Sequence, residues 1–119
     1  MTLVISVSLA DYGNTNYGVV AGGRRFAYGN LIGENRRTGY AQTNGGPNTY
    51  NYVYVTFYWV NNLSGQTGGL WEERSGSIFA KIEASELTGY NYYYKAVSNH
   101  SGSFDGAQFS VSNVTTITN

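Results

Sequence analysis

The chain carries one stretch, Thr49 to Val60, in which two patterns interleave without a break. Odd positions give Val53, Val55, Phe57 and Trp59; even positions give Tyr50, Tyr52, Tyr54, Thr56 and Tyr58. Successive side chains of a strand point to opposite faces, so the pattern predicts a strand with an apolar core face and a tyrosine face. Its aromatic and β-branched residues suit a pleated, half-buried surface. Similar alternation marks Thr2 to Ala10, where Leu3, Ile5, Val7 and Leu9 share a face, and Ser75 to Ser85, where Ile78, Ala80, Ile82 and Ala84 do. A short helix from Ile78 to Leu87 is the competing reading of that last stretch, without a decisive period. Further strands are expected over Tyr17 to Ala21, Arg24 to Tyr28, Tyr90 to Val97 and Ala107 to Thr118. In the third of these, Tyr90, Tyr92, Tyr94 and Ala96 fall on one face.

Polar, glycine-rich stretches separate these runs. Asp11 to Tyr17 reads as a turn, Leu31 to Asn48 as irregular, and Asn61 to Gly69 and Ser98 to Gly106 as loops. Gly45-Gly46-Pro47 reads as a strong break, because Pro cannot donate a ladder hydrogen bond. About seven to eight short strands predict an all-β fold, an antiparallel β-sandwich, with a small closed β-barrel as the alternative. The length of 119 residues predicts a single domain, 1–119. The expected core is Leu3, Ile5, Val7, Val53, Val55, Phe57, Trp59, Ile78, Ile82, Phe109 and Val111.

Composition narrows the function classes. Tyr occurs 12 times, Gly 16 times, and charged residues make up 12 % of the chain, which argues for folded structure over disorder. Seven basic and seven acidic residues cancel, so nothing builds the positive field that nucleic-acid binding needs. Cysteine is absent, which removes disulfides, thiolate metal sites and a cysteine nucleophile. No apolar run approaches the length of a membrane-spanning helix, and Met1 to Leu9 lacks the basic start and cleavage site of a signal peptide. Abundant Asn, Ser, Thr, Gly and Tyr with scarce Lys points to an extracellular or cell-surface setting, in a mature form. In composition the chain resembles small Gly/Tyr/Trp-rich secreted bacterial β-proteins, some bacteriocins and surface proteins among them.

Catalytic and metal chemistry find little footing. His100 is the only histidine, lies in a Gly/Ser-rich stretch, and is expected at the surface. No nucleophile-elbow pattern surrounds a serine, and the glutamates read as solvation. No enzyme activity and no cofactor are therefore expected. Zinc would want a His/Cys cluster. Asp11, Asn14 and Asn16 alternate as calcium ligands can, but without a second acid or a closing bidentate Glu; ordinary turn bonds explain Asp and Asn there.

The tyrosines remain. Tyr50, Tyr52 and Tyr54 could pair across strands with Tyr90, Tyr92 and Tyr94, a structural use worth about 0.5–1.5 kcal/mol per aromatic pair beyond burial. With hydroxyls outward, the same sheet is also a contact surface, since exposed aromatic patches mark binding sites. The leading expectation is a non-catalytic extracellular module that engages glycan or cell-envelope polymer. Its candidate ligand-binding residues are Tyr50, Tyr52, Tyr54, Tyr58, Tyr90, Tyr92 and Tyr94, with Trp71 as an accessory aromatic. The alternative is a self-assembling structural subunit of a filament or other homo-oligomer, joined through β-edges, terminal strands and tyrosine faces.

Overall fold

The computed structural model describes residues 11–118, all of them in strands, turns and irregular segments. The expected strand Thr2 to Ala10, with Leu3, Ile5 and Val7, lies outside the described residues. Six antiparallel strands follow: β1 (Tyr12–Val19), β2 (Arg25–Ile32), β3 (Gly39–Asn61), β4 (Thr67–Glu83), β5 (Asn91–Phe104) and β6 (Ala107–Thr116). They form one sheet, ordered β1-β2-β3-β5-β6, with β4 pairing β3 on its other side.

The sheet folds over because β3 is long and bent. Its first part, Gly39 to Asn44, pairs with β2, and its second, Tyr50 to Asn61, pairs with β5. β4 accompanies it throughout. One half of the sheet is therefore β1, β2, the start of β3 and the end of β4. The other is the start of β4, the rest of β3, β5 and β6. β1 and β6 meet where Asn16 Nδ2 donates to Asn113 Oδ1 at 3.1 Å, so the sheet nearly closes into a barrel. The fold class is all-β, and of the two expected architectures the barrel is nearer.

Among the described residues the strands number six, and two stretches expected to interrupt strands lie inside them. Gly45-Gly46-Pro47 lies inside β3. Gly46 pairs with Ile78 and Tyr50 with Ser77, so Pro47, Asn48 and Thr49 bulge out as the corner. Gly46 and Asn48 supply the positive φ that the bend requires, at 78° and 60°. Polar side chains meet the backbone groups that the ladder leaves there: Asn51 Oδ1 accepts from Gly45 N at 2.8 Å, and Asn44 Oδ1 from Gly46 N at 3.0 Å. Asn51 Nδ2 donates to Gly76 O at 3.2 Å and so ties the corner to β4.

The second apparent interruption was the loop Ser98 to Gly106, which is mostly strand. β5 runs through to Phe104, and Asp105-Gly106 alone turns the chain into β6. Both turn residues have positive φ, at 50° and 80°, the conformation of a two-residue hairpin turn. Asp11 to Tyr17 is likewise strand rather than turn beyond its first residue.

The core follows the alternation of β3. Val53, Val55 and Phe57 are buried, with Ile32, Ala41, Ala80, Ile82, Tyr93, Ala96 and Ile117 around them. Trp59, Phe109 and Val111 are only half-buried. Ile78 departs from the expectation and is 47 % exposed. It sits at the corner with φ of 73°, where the register shifts and its side chain turns off the core face.

Candidate functional site

The outward face of the half formed by β4, β3, β5 and β6 follows from register. Tyr50 lies between Ser77 and Ser103, Tyr52 between Ser75 and Ser101, and Tyr54 between Glu73 and Asn99. Farther along, Thr56 lies between Trp71 and Val97, and Tyr58 between Gly69 and Lys95. β6 adds Gln108, Ser110 and Ser112 beside Ser103, Ser101 and Asn99. An aromatic column on β3 thus runs beside columns of hydroxyls and amides on β5 and β6. Alternate residues of a strand advance about 7 Å, so the rings stand as regularly spaced rungs.

Neighbouring groups hold the rings in place. Trp71 stacks on Tyr54, with centroids 5.7 Å apart and planes 22° apart. The Tyr52 hydroxyl donates to Glu73 Oε2 at 2.6 Å. That bond, to a carboxylate that repels phenolate charge, pushes the Tyr52 hydroxyl up to about 12, with burial adding to it. Tyr52 is therefore a neutral donor at any physiological pH. Lys95 Nζ lies 5.7 Å over the Tyr58 ring, and Tyr94 approaches the same ring at 6.4 Å. Trp71 and Tyr50 are the most open of these rings, at 66 % and 54 % exposure. Beside Tyr50 the face dips into a trough lined by Ser101, Ser103, Gln108 and Ser110.

The candidate residues thus divide. Tyr50, Tyr52, Tyr54, Tyr58, Trp71 and Tyr94 share this face. Tyr92 lies opposite Val60 at its end, where the Arg37 guanidinium covers its ring at 4.8 Å and donates to its hydroxyl at 2.9 Å. Tyr90 stands in the turn before β5, exposed and outside the ladder. The expected ladder of Tyr50, Tyr52 and Tyr54 against Tyr90, Tyr92 and Tyr94 does not form, because the antiparallel register sets Ser103, Ser101 and Asn99 opposite them. A bulge explains the rest. Tyr58 pairs with Lys95 and Trp59 with Tyr93, which leaves Tyr94 as the extra residue. The alternation of β5 therefore flips there: Tyr93 and Ala96 both point inward and are fully buried. The Tyr93 hydroxyl reaches Ser85 O at 2.5 Å, and burial pushes it up to about 12.

His100 is the other surprise. It is fully buried rather than at the surface, facing Val53 across the ladder. Asn30 Nδ2 donates to Ser98 Oγ at 2.7 Å, and Ser98 Oγ lies 2.6 Å from His100 Nε2. His100 Nδ1 lies 2.8 Å from Thr43 Oγ1, which donates to Tyr52 O at 2.8 Å. These bonds assign one consistent direction: Ser98 donates to Nε2, and Nδ1–H donates to Thr43. Burial pushes the imidazole down to about 4, an effect partly offset by the Gln42 backbone. Ser98 and His100 are both sealed from solvent, and the second ring nitrogen faces a hydroxyl in place of a carboxylate. The relay joins the two halves of the sheet; it lacks the access and the acid that a nucleophilic triad uses.

Asn14 and Asn16 lie in β1, and Asp11 Oδ1 accepts from Glu34 N at 3.1 Å. Among the described residues, no three His, Cys, Asp or Glu side chains gather as metal ligands, and no helix is long and apolar enough to cross a membrane. No protein-family model, curated protein or solved structure matches the chain.

Proposed function

We propose that the protein is a non-catalytic, extracellular or cell-surface module that binds a neutral glycan or cell-envelope polymer along the outward face of β4, β3, β5 and β6. The observation that carries this reading is the pairing, on one face, of an aromatic column with columns of hydroxyls and amides. Ring faces pack on the apolar faces of sugar rings, while Ser and Asn side chains bond to sugar hydroxyls. Of the two residues best placed for stacking, Tyr50 stands at one end of the face and Trp71 three rungs along it, beside Thr56, which suits an extended chain better than a single small molecule. The charges on the face, Glu73 and Lys95, are of opposite sign, which suits a neutral polymer.

Trp71 supplies the test. It is far more open than the half-buried Trp59, so ligand contact should change tryptophan emission through Trp71. Titration with soluble xyloglucan, galactomannan and peptidoglycan fragments is expected to shift and saturate that emission, with Trp71→Phe losing the response. Unchanged emission across this set would refute the reading.

A second reading, a self-assembling subunit, draws on the outer edge of β4, which among the described residues pairs with no strand. It ranks second because Glu72, Glu73, Arg74, Lys81 and Glu83 lie along that strand and the corner at Ile78 bends it, both of which discourage strand addition. Of the three strands without a charged residue, β3 lies inside the sheet, and β1 and β6 meet each other through Asn16 and Asn113. Light scattering during size-exclusion chromatography, on the full chain and on one lacking residues 1–9, tests this reading. A monomer at every concentration would end it.

A further inference from the structure

The other half of the sheet has an outward face of its own. Its central row is Thr15, Gly29, Gln42 and Lys81; the rows on either side carry Leu31 and Tyr40, and Ala27 and Asn44. Gly29 is compelled, because a Cβ there would sit 2.0 Å from the Asn14 carbonyl oxygen. The missing side chain leaves a pit walled by Thr15, Leu31, Tyr40, Gln42 and Asn44.

Among the described residues, the polar side chains that wall this pit are largely uncommitted. Other amides are spent: Asn30, whose side chain is on the buried side of β2, Asn51 and Asn61 all bond within the protein. The side chains of Thr15 and Gln42 and the hydroxyl of Tyr40 bond to no other described group. Asn44 commits its Oδ1 to Gly46 N, and its amide hydrogens bond to no other described group. Lys81, the nearby cation, lies 4.5 Å over the Tyr40 ring and 3.6 Å from Glu83, so its charge is already answered. The pit therefore combines hydroxyl and amide groups with the apolar wall of Leu31 and Tyr40, and no net charge. A neutral polyhydroxylated unit matches that chemistry; a phosphate or carboxylate does not.

We infer that the pit is a second saccharide subsite, which takes one neutral sugar unit, and that one copy of the protein bridges two polymer strands. This inference rests on the glycan-binding reading above. The two faces belong to opposite halves of the folded sheet, whose inner sides meet through Phe26 and Phe109 and through Asn30 and Ser98. Strands held on the two faces would lie far enough apart not to collide.

A nitrogen–proton correlation NMR titration with the methyl glycosides of glucose, galactose, mannose and N-acetylglucosamine tests the inference. It reads the Gln42 side-chain amide and Gly29 N–H for the pit, and the Trp71 indole N–H for the first face. Saturable shifts at both sets are expected with at least one glycoside. Thr15→Val with Gln42→Leu should abolish the Gly29 N–H shift, leave the Trp71 shift intact, and remove the turbidity that bridging by the native chain is expected to produce with galactomannan. If that double variant loses its dispersed spectrum, Gln42→Ala takes its place. Shifts confined to Trp71 would overturn the second subsite and leave the proposed function standing. Shifts at neither set would overturn both.

Discussion

Acidification should destabilise this protein through His100, and the size of the effect follows from its surroundings. An unfolded histidine titrates near 6.5, whereas the buried imidazole is held down to about 4. Between those values the unfolded chain binds a proton that the folded chain refuses, so folding stability falls as pH falls. The contribution is fully present above pH 6.5 and fully lost below pH 4. A gap of about 2.5 pH units at 1.36 kcal/mol each is a loss of about 3 kcal/mol. The group is fully buried, so solvent screening does not reduce this. Against a total stability of roughly 5–15 kcal/mol, that is enough to see clearly. The relay sharpens the argument. A proton on Nε2 would meet the Ser98 hydroxyl hydrogen and force Ser98 to turn toward Asn113 O, 3.5 Å away. Urea denaturation at pH 7.5, 5.5 and 4.0 measures the effect. His100→Gln, which does not titrate, should be less stable at pH 7.5 but lose no such increment on acidification. A wild-type loss below about 1 kcal/mol, or an equal slope in His100→Gln, would refute the reasoning.

Other consequences concern packing. Phe57, buried against Tyr93 with centroids 5.5 Å apart, should cost about 3–5 kcal/mol when cut to Ala in the same urea assay. Tyr50→Ala, on the open face, should change stability by no more than about 0.5 kcal/mol. At Gly45 a Cβ would sit 2.1 Å from the Phe26 ring, so Gly45→Ala should cost about 1–3 kcal/mol, with partial recovery when Phe26→Leu is added.

The strand most visible in the sequence is the one whose two faces differ most in chemistry. The alternation of β3 located Val53, Val55 and Phe57 in the core and Tyr50, Tyr52, Tyr54 and Tyr58 outside. The faces of β5 were not legible, because one extra residue at Tyr94 inverts a period of two and leaves no mark in composition. Ser98 to Phe104 looked like a loop because the core there is polar: Ser98, His100 and Gly102 face inward, where Asn30, Thr43 and Asn113 satisfy or pack against them. The Asp105-Gly106 pair did carry a hairpin signal, and reading it would have placed strands on both sides. Gly45-Gly46-Pro47 looked like an end because the residues that bend a strand are also those that stop one. The pit around Gly29 depends on which rows meet across β1, β2 and β3, and no single stretch of sequence encodes that register.

The claim that matters most is that the outward tyrosine face binds a neutral glycan. A glycan array of plant, fungal and bacterial envelope polysaccharides, probed side by side with the native chain and with Tyr54→Ala/Trp71→Ala, tests it most directly. That variant removes the stacked pair from the centre of the face while circular dichroism checks that the sheet is intact. The account predicts retention of the native chain on at least one neutral polysaccharide, and a drop of about tenfold or more in the variant's apparent affinity, equivalent to about 1.4 kcal/mol. No retention of the native chain, or equal retention of both proteins, would contradict it.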